Sequence, residues 1–105
     1  MRAYERLDQL TAPQRVAIVG ASDNPTRIGG RPISYMLNHG YTGQIFPVNP
    51  KNETIQGLPA YAQISEIPEE IDFALIAVKS TMVAERVRAA AQKGARTALI
   101  FSSGF

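Results

Sequence analysis

The sequence of 105 residues contains no cysteine and only one histidine, His39. Without cysteine the chain has no disulfide framework, no thiolate nucleophile and no thiolate metal site. A single histidine excludes a multi-histidine metal centre built within this chain. No apolar run approaches the roughly 18 residues of a membrane span, and the N-terminus lacks the apolar segment of a secretory signal. The chain is therefore expected to be cytoplasmic, with no membrane partner.

A strong charge of one sign is also lacking, because 11 Lys and Arg residues against 9 Asp and Glu residues give a net charge of +2. So mild a balance does not indicate a nucleic-acid partner, since such proteins usually carry a clustered basic face. The apolar fraction of 45% and the charged fraction of 19% are typical of a folded globular chain. The length predicts one domain over residues 1–105, with residues 1–14 as a polar lead-in.

Short apolar runs rich in β-branched residues predict strands that are buried on both faces, as in a parallel sheet. The predicted strands cover residues 16–19, 45–48, 73–78 and 98–101, with a short edge strand at 58–61. Pro47 weakens the second strand because proline cannot donate to a ladder, and it would be tolerated near a strand end or beside a short neighbour.

Two amphipathic helices are predicted between the strands. The first begins at Pro32, ends before Gly40 and carries an apolar stripe of Ile33, Met36 and Leu37. In the second, Ser80 is a candidate cap and Gly94 the stop. Its apolar face comprises Val83, Val87, Ala90 and Ala91. A single helical turn is predicted within residues 63–67.

Strands that alternate with amphipathic helices predict the α/β class, with a parallel sheet covered by helices on both faces. A complete fold of this kind would cover the last strand with another helix. The sequence therefore predicts a sheet truncated after its last readable strand, as in a piece of a longer protein. The thinly covered last strand is compatible with a homo-oligomer.

Ligands of open parallel sheets bind outside the carboxyl ends of the strands. Residues 20–25, 49–51, 78–80 and 102–104 follow the four main strands and are expected to line one crevice. The first of these loops departs from the dinucleotide fingerprint, because Ser22 stands where a second glycine is expected after Gly20. A phosphate site helped by Arg27 and Arg31, and an ordinary turn that needs glycine, both remain open.

At the second strand end, Asn49, Pro50 and Lys51 replace the Asp or Glu with which NAD-binding units hold the ribose. A cation there suits a nucleotide with an extra phosphate, either the 2′-phosphate of NADP or the 3′-phosphate of coenzyme A. A buried charge-assisted bond of this kind contributes about 1.5–3 kcal/mol. The alternative is a solvated surface lysine.

The other strand ends offer Lys79 as a second cation, and Ser102 and Ser103 as hydrogen-bonding groups. The serines lack support as nucleophiles, because His39 is expected at the opposite edge of the sheet, as a cation at a helix C-terminus. The acidic stretch within residues 66–72 is interpreted as a solvated surface. No catalytic residue and no metal ligand is therefore assigned.

The segments VAIVGAS (16–22), GYTGQIFPVNPK (40–51), IQG (55–57), DFALIAV (72–78) and FSSGF (101–105) occur in the order and spacing of a known family. Over roughly residues 7–105 the chain resembles the N-terminal CoA-binding domain of the NDP-forming acyl-CoA synthetases, which are related to the succinyl-CoA synthetase α subunit. The resemblance implies a Rossmann-like doubly wound sheet and coenzyme A as ligand.

The resemblance also implies site residues. The loop that would wrap the CoA phosphates consists of Gly20, Ala21, Ser22, Asp23, Asn24 and Pro25. Lys51, after Asn49 and Pro50, would pair with the 3′-phosphate. The adenine and pantetheine would be flanked by Val78, Lys79, Ser80, Phe101, Ser102 and Ser103. Lys79 departs from the family pattern, which usually has proline there, and it adds a phosphate contact or only alters the loop.

The family reaction joins an organic acid to CoA while ATP or GTP is hydrolysed to the diphosphate, through an acyl phosphate and a phosphohistidine on a later domain. ATP, ADP and Mg²⁺ are therefore expected only in other domains or subunits of an acyl-CoA synthetase, which are this chain's expected partners. His39 does not match the phosphohistidine motif. The alternatives are a non-catalytic CoA-sensing module, alone or fused to a protein lysine acetyltransferase, and an NADP-binding oxidoreductase domain.

Overall fold

The computed structural model describes residues 15–41 and 43–102, so that the predicted lead-in, 1–14, lies outside the described residues. The described residues form six strands, two helices and a 3₁₀ turn. In order these are β1 (Arg15–Val19), α1 (Arg31–Asn38), β2 (Gln44–Val48), β3 (Thr54–Ile55), β4 (Leu58–Pro59), the 3₁₀ turn (Ile64–Glu66), β5 (Phe73–Val78), α2 (Ser80–Gln92) and β6 (Thr97–Ser102). Neither helix is long and apolar enough to cross a membrane, within the residues described.

The central sheet is parallel and has the strand order β2-β1-β5-β6. Val16 of β1 pairs with Ile45 on one side and with Phe73 on the other. The chain fills positions on one side of β1 first and then crosses to the other side, so the order reverses at β1. This Rossmann-like arrangement confirms the predicted fold class, and all four carboxyl ends lie at one edge of the sheet.

The core has two layers because alternate residues of each strand face opposite sides of the sheet. Ile18 and Leu75 pack with Ile33 and Met36 of α1. Facing the other way, Ala17, Val19, Ala74 and Ile76 pack with the 3₁₀ turn, with Ile67 and Ile71, and with Ala90 of α2. Both faces of the sheet are therefore covered, which explains the continuous apolar runs of β1 and β5.

Pro47 lies in β2, which is an edge strand of the four-stranded sheet. The Pro47 carbonyl accepts a hydrogen bond from the Tyr61 N–H (2.9 Å), on the side away from β1. In a parallel strand the N–H and C=O of one residue face the same neighbour, so the missing N–H of Pro47 would also have pointed away from β1. The proline therefore costs no hydrogen bond to β1.

Four local predictions differ from the structure. Leu37 is 46% exposed, because α1 turns only Pro32, Ile33 and Met36 fully inward. Ala91 is exposed and Ala89 packs against the core in its place. The remaining two concern the cap of α2 and the edge strand expected at 58–61.

The N-cap of α2 is Lys79, which makes no side-chain capping bond, and Ser80 is already the first helical residue. The predicted Ser80 cap is therefore wrong. The edge strand expected at 58–61 is also shorter, because only Leu58–Pro59 pairs with β3. Tyr61 instead bridges to Val48 of β2.

Replacing a central core residue tests this layered arrangement. Ile18 is 0% exposed, so Ile18→Ala is expected to lower the free energy of unfolding by about 2–5 kcal/mol. Ile100 is 45% exposed in β6, so the matched change Ile100→Ala is expected to cost about 1 kcal/mol or less. Urea denaturation followed by circular dichroism measures both, and equal losses would contradict the structure.

Candidate functional site

The site begins at Gly20, where β1 ends at the point of strand-order reversal. Gly20 has a φ of +81°, and a Cβ placed there would overlap the carbonyl oxygen of Ala77 in β5. The Gly20 N–H donates to the Val48 carbonyl of β2 (3.0 Å). A residue without a side chain therefore allows the chain to leave β1 in close contact with both neighbouring strands.

The segment 20–30, which we call the loop, is held in shape by its own polar groups. The Asn24 N–H donates to Ser22 Oγ (3.0 Å), and the Thr26 N–H donates to Asn24 Oδ1 (2.9 Å). Arg31 Nε donates to the Thr26 carbonyl (2.9 Å), which ties the loop to the first turn of α1. These short-range bonds are typical of serine and asparagine in turns and order an otherwise exposed segment.

Some backbone N–H groups of the loop have no protein acceptor. In residues 15–41 and 43–102, the N–H groups of Asp23, Ile28 and Gly29 donate to no other protein group. Ser22 is half-buried and accepts through Oγ, so its hydroxyl hydrogen is still available to donate. Unpaired amide donors beside the start of a helix favour an anion.

Asn49, at the end of β2, connects that strand to the loop. Its Nδ2 donates to the Ala21 carbonyl (2.9 Å), and its Oδ1 accepts from the Lys51 N–H (2.9 Å). Its own backbone N–H donates to the Tyr61 carbonyl (2.9 Å). Asn49 thus fixes the spacing between the ends of β1 and β2, a role for which an acidic residue would lack the amide donor.

Two clefts open at the carboxyl ends of the strands. The loop cleft has a volume of about 830 Å³ and is lined by residues 20–24 and 26–29 with Asn49, Asn52, Ala77 and Phe101. The α2-side cleft has a volume of about 400 Å³ and is lined by residues 62–65 with Val19, Gly20, Val48, Asn49, Pro50, Val78, Met82, Glu85, Arg86 and Ala89. Gly20 and Asn49 line both clefts, so the two are adjacent.

Positive charge lies at the margins of these clefts. Arg27 lines the loop cleft and is exposed. Arg86 lines the α2-side cleft and pairs with Glu85, with Nη1 and Oε1 2.7 Å apart. Lys51 and Lys79 are exposed and line neither cleft. In the loop cleft the fixed donors are therefore backbone amides with the exposed Arg27 at the margin, whereas the half-buried Arg86 lines the α2-side cleft.

Most of the predicted site residues come together here. Those that line a cleft are Gly20, Ala21, Ser22, Asp23, Asn24, Asn49, Pro50, Val78 and Phe101. Those that lie at the same edge without lining a cleft are Pro25, Lys51, Lys79 and Ser80. Ser102 ends β6 at this edge, and Ser103 lies outside the described residues.

Sequence reasoning missed the contribution of α2 to the site. Met82, Arg86 and Ala89 recur at helical spacing and line the α2-side cleft. The signal was present, since these residues form a stripe beside the apolar stripe of Val83, Val87 and Ala90. Gln56, which contacts the loop, was also missed as a functional residue.

Two groups that sequence reasoning set aside lie far from the clefts. His39 caps the C-terminus of α1, where its ring stacks on Tyr35 with centroids 4.1 Å apart and Nδ1 lies 2.8 Å from the Tyr35 carbonyl oxygen. At the start of the strands, Asp72 Oδ2 accepts from the Arg15 N–H (3.0 Å), and Glu69 Oε2 lies 3.1 Å from Arg15 Nε. In the described part of the chain no cluster of three metal-ligating side chains occurs.

The whole described site falls within a match to the family model described as a CoA binding domain, which covers residues 14–105. The chain belongs to this family. A trans-feruloyl-CoA synthase from an unknown prokaryotic organism is 37% identical over 101 residues, which are 96% of this chain and 14% of that protein. The ADP-forming acetate–CoA ligase II of Archaeoglobus fulgidus is 40% identical over 99 residues, which are 94% of this chain and 15% of that protein.

Among solved structures, the apo form of the dinucleotide-forming acetyl-coenzyme A synthetase 1 of Ca. Korarchaeum cryptofilum superimposes with a TM-score of 0.83 at 33% identity. The match covers 94% of this chain and 22% of that one. The CoA binding domain is thus homologous to the N-terminal part of NDP-forming acyl-CoA synthetases. It spans about one seventh of the length of the two curated relatives above.

A methyl group at Gly20 tests how closely the site is built. Gly20→Ala is expected to reduce the free energy of unfolding by about 1–2 kcal/mol through left-handed strain and by about 1–3 kcal/mol more through overlap with Ala77. Gly40 also has a positive φ (+72°), yet a Cβ there meets nothing within 4 Å, so Gly40→Ala is the matched control and carries the strain alone. Urea denaturation compares the two, and a Gly40→Ala loss as large as that of Gly20→Ala would refute the close approach.

Proposed function

We propose that this chain binds coenzyme A across the two clefts, as the CoA-binding part of an acid–CoA ligase. The observation that carries the proposal is that the family match, residues 14–105, includes every residue that lines either cleft. A family relationship that covered only the buried sheet would support the fold but not the ligand. Here it also covers the loop and the strand ends, where ligands of such sheets bind.

The chemistry of the loop cleft suits the phosphate-bearing part of CoA. The unpaired N–H groups of Asp23, Ile28 and Gly29 and the hydroxyl of Ser22 offer directed neutral donors. Such donors form their strongest hydrogen bonds with ionised acceptors such as phosphate oxygens. Arg27 adds positive charge at the margin, where it would attract the negatively charged phosphate groups of the ligand.

The α2-side cleft suits the nucleoside. Its lining includes apolar groups of Val78, Met82 and Ala89, with Asn49, Gln63, Ser65, Glu85 and Arg86 as polar groups. A planar base needs an apolar slot with a small number of polar contacts, and this cleft has that composition. Gly20 and Asn49 line both clefts, so a base and its attached phosphates would occupy neighbouring spaces.

The wider activity is proposed for the protein of which such a domain is a part. Its relatives are named as acetate–CoA ligases and a feruloyl-CoA synthase. This chain spans 14% of the length of the feruloyl-CoA synthase and 15% of the length of the Archaeoglobus fulgidus acetate–CoA ligase. The acid, ATP and Mg²⁺ would bind to other domains or subunits, and the described clefts would hold the nucleotide part of CoA while its thiol accepts the acyl group at a site in those other parts. Residues 1–105 would then form one CoA-binding domain without catalytic residues.

Titration calorimetry tests the ligand directly. CoA is expected to bind the chain, and NADPH is expected to bind at least tenfold more weakly, because the loop lacks the second glycine of the dinucleotide fingerprint. The two ligands share an adenosine with an extra phosphate, so NADPH controls for general attraction of phosphate groups. Tighter binding of NADPH than of CoA would sink the ligand assignment.

Lys51→Ala tests the proposed partner of the 3′-phosphate. Because Lys51 is exposed, its pairing would be screened by water and is expected to contribute up to about 1 kcal/mol, or about fivefold in the affinity for CoA. Dephospho-CoA lacks the 3′-phosphate, so its affinity is expected to be unchanged by the substitution. Lys93→Ala, which removes a cation at the C-cap of α2, away from both clefts, is the control and is expected to leave both affinities unchanged. A similar loss for both ligands would show that Lys51 acts in another way.

A further inference from the structure

The turn between β3 and β4 holds a residue in a costly conformation. Gln56 has a φ of +50° and is followed by Gly57 at +83°. Two consecutive positive φ values are typical of the two-residue hairpin turns that favour asparagine and glycine. Glutamine is not favoured at such positions, and its left-handed backbone conformation costs free energy that asparagine and glycine largely avoid. A glutamine in this strained conformation indicates that its side chain has a function at this position.

The side chain of Gln56 reaches back to both ends of the loop. Its Nε2 donates to the Ser22 carbonyl (3.0 Å) and to the Gly30 carbonyl (3.0 Å), so both amide hydrogens are used. The Gln56 backbone N–H donates to Asp23 Oδ1 (2.6 Å). One half-buried residue, 26 to 34 positions away along the chain, thus ties the first and last parts of the loop together.

These bonds also set the direction of an unpaired donor. The Ser22 carbonyl and the Asp23 N–H belong to one planar trans peptide group, in which they point in opposite directions. When Gln56 holds the Ser22 carbonyl toward the hairpin, the Asp23 N–H is held away from it. That N–H has no acceptor in the described chain, and Asp23 lines the loop cleft.

We propose that Gln56 is a positioning residue that orients the Asp23 N–H toward a phosphate group of the ligand in the loop cleft. The proposal rests on the proposed function, because it takes the CoA pyrophosphate as the anion. A loop ordered in advance loses less conformational entropy when the ligand binds, so its donors contribute more fully to affinity. Gln56 itself need not touch the ligand.

Gln56→Asn separates this role from a merely structural one. Asparagine followed by glycine is the pair that such turns favour, which offsets the lost side-chain bonds, so the melting temperature is expected to stay within about 4 °C of the wild-type value. The shorter side chain cannot reach both carbonyls, and the dissociation constant for CoA is expected to rise about tenfold. Calorimetry and thermal unfolding of the whole chain give both values.

Dephospho-CoA and two further variants sharpen the test. Because dephospho-CoA keeps the pyrophosphate, Gln56→Asn should weaken it by the same factor as CoA, unlike Lys51→Ala. Gln44→Asn, the same change at an exposed residue at the start of β2, should leave both affinities unaltered. Ile67→Val, in the core on the opposite face, should lower the melting temperature without changing affinity.

Gln56→Glu adds a readout that depends on pH. A carboxylate would face two carbonyl oxygens with no hydrogen to donate, whereas the protonated acid can donate one. The ratio of the variant's to the wild type's dissociation constant should therefore fall as the pH is lowered from 7.5 to 5, and the ratio cancels the titration of CoA itself.

In NMR spectra of the ¹⁵N-labelled chain, CoA should shift the Asp23 amide signal of the wild type and not that of Gln56→Asn.

The outcomes separate the two proposals. Wild-type chain that fails to bind CoA overturns the proposed function. If the wild-type chain binds CoA, and Gln56→Asn and Gln56→Glu bind it with the wild-type affinity, only the positioning role is overturned. A loss of affinity in Ile67→Val as large as in the Gln56 variants would assign the effect to general destabilisation and would also overturn it.

Discussion

The close approach of Gly20 to the Ala77 carbonyl is the contact on which the site depends. It occurs where the strand order reverses, and it exists because position 20 has no side chain and adopts a positive φ. A larger residue would push β1 from β5 or lift the loop off the sheet edge. Either change would alter both clefts, since Gly20 lines each of them. One absent methyl group thus shapes the whole carboxyl edge.

From this contact outward, the site is assembled by bonds between segments that are distant in sequence. Asn49 fastens the end of β2 to Ala21, and Gln56 fastens the β3–β4 hairpin to Ser22 and Gly30. The loop is exposed over most of its length, so the sheet core alone would not order it. Side-chain amides do so instead, because they can donate to carbonyl oxygens that a turn leaves unpaired.

The four main strands and their order along the chain could be predicted, because burial on both faces leaves a plain signal, a continuous apolar run. The edge of the sheet at which the candidate clefts lie could be predicted as well, since the carboxyl ends of parallel strands share one edge. Leu37 and Ala91 were wrongly assigned to the buried faces of α1 and α2. Helical spacing shows where an apolar stripe is centred and does not show how many residues to either side of that centre are buried. The contacts of Gln56 with the loop could not be read from local pattern, because its partners are 26 to 34 residues away along the chain.

Under the proposed function, unpaired backbone donors in the loop cleft and the exposed Arg27 at its margin suit a ligand that must come and go. Exposed cations such as Arg27 and Lys51 attract phosphate groups from a distance, but salt screens them beyond about 8 Å and they hold a bound anion weakly. Backbone amides act at contact distance and fix orientation. A substrate that is delivered, acylated and released needs orientation more than tight retention, because binding energy shared by substrate and transition state does not speed the chemical step. Under the two proposals, the loop's unpaired amides, with the Asp23 N–H oriented by Gln56, would fix the orientation of the ligand, and the exposed cations would add only modest retention.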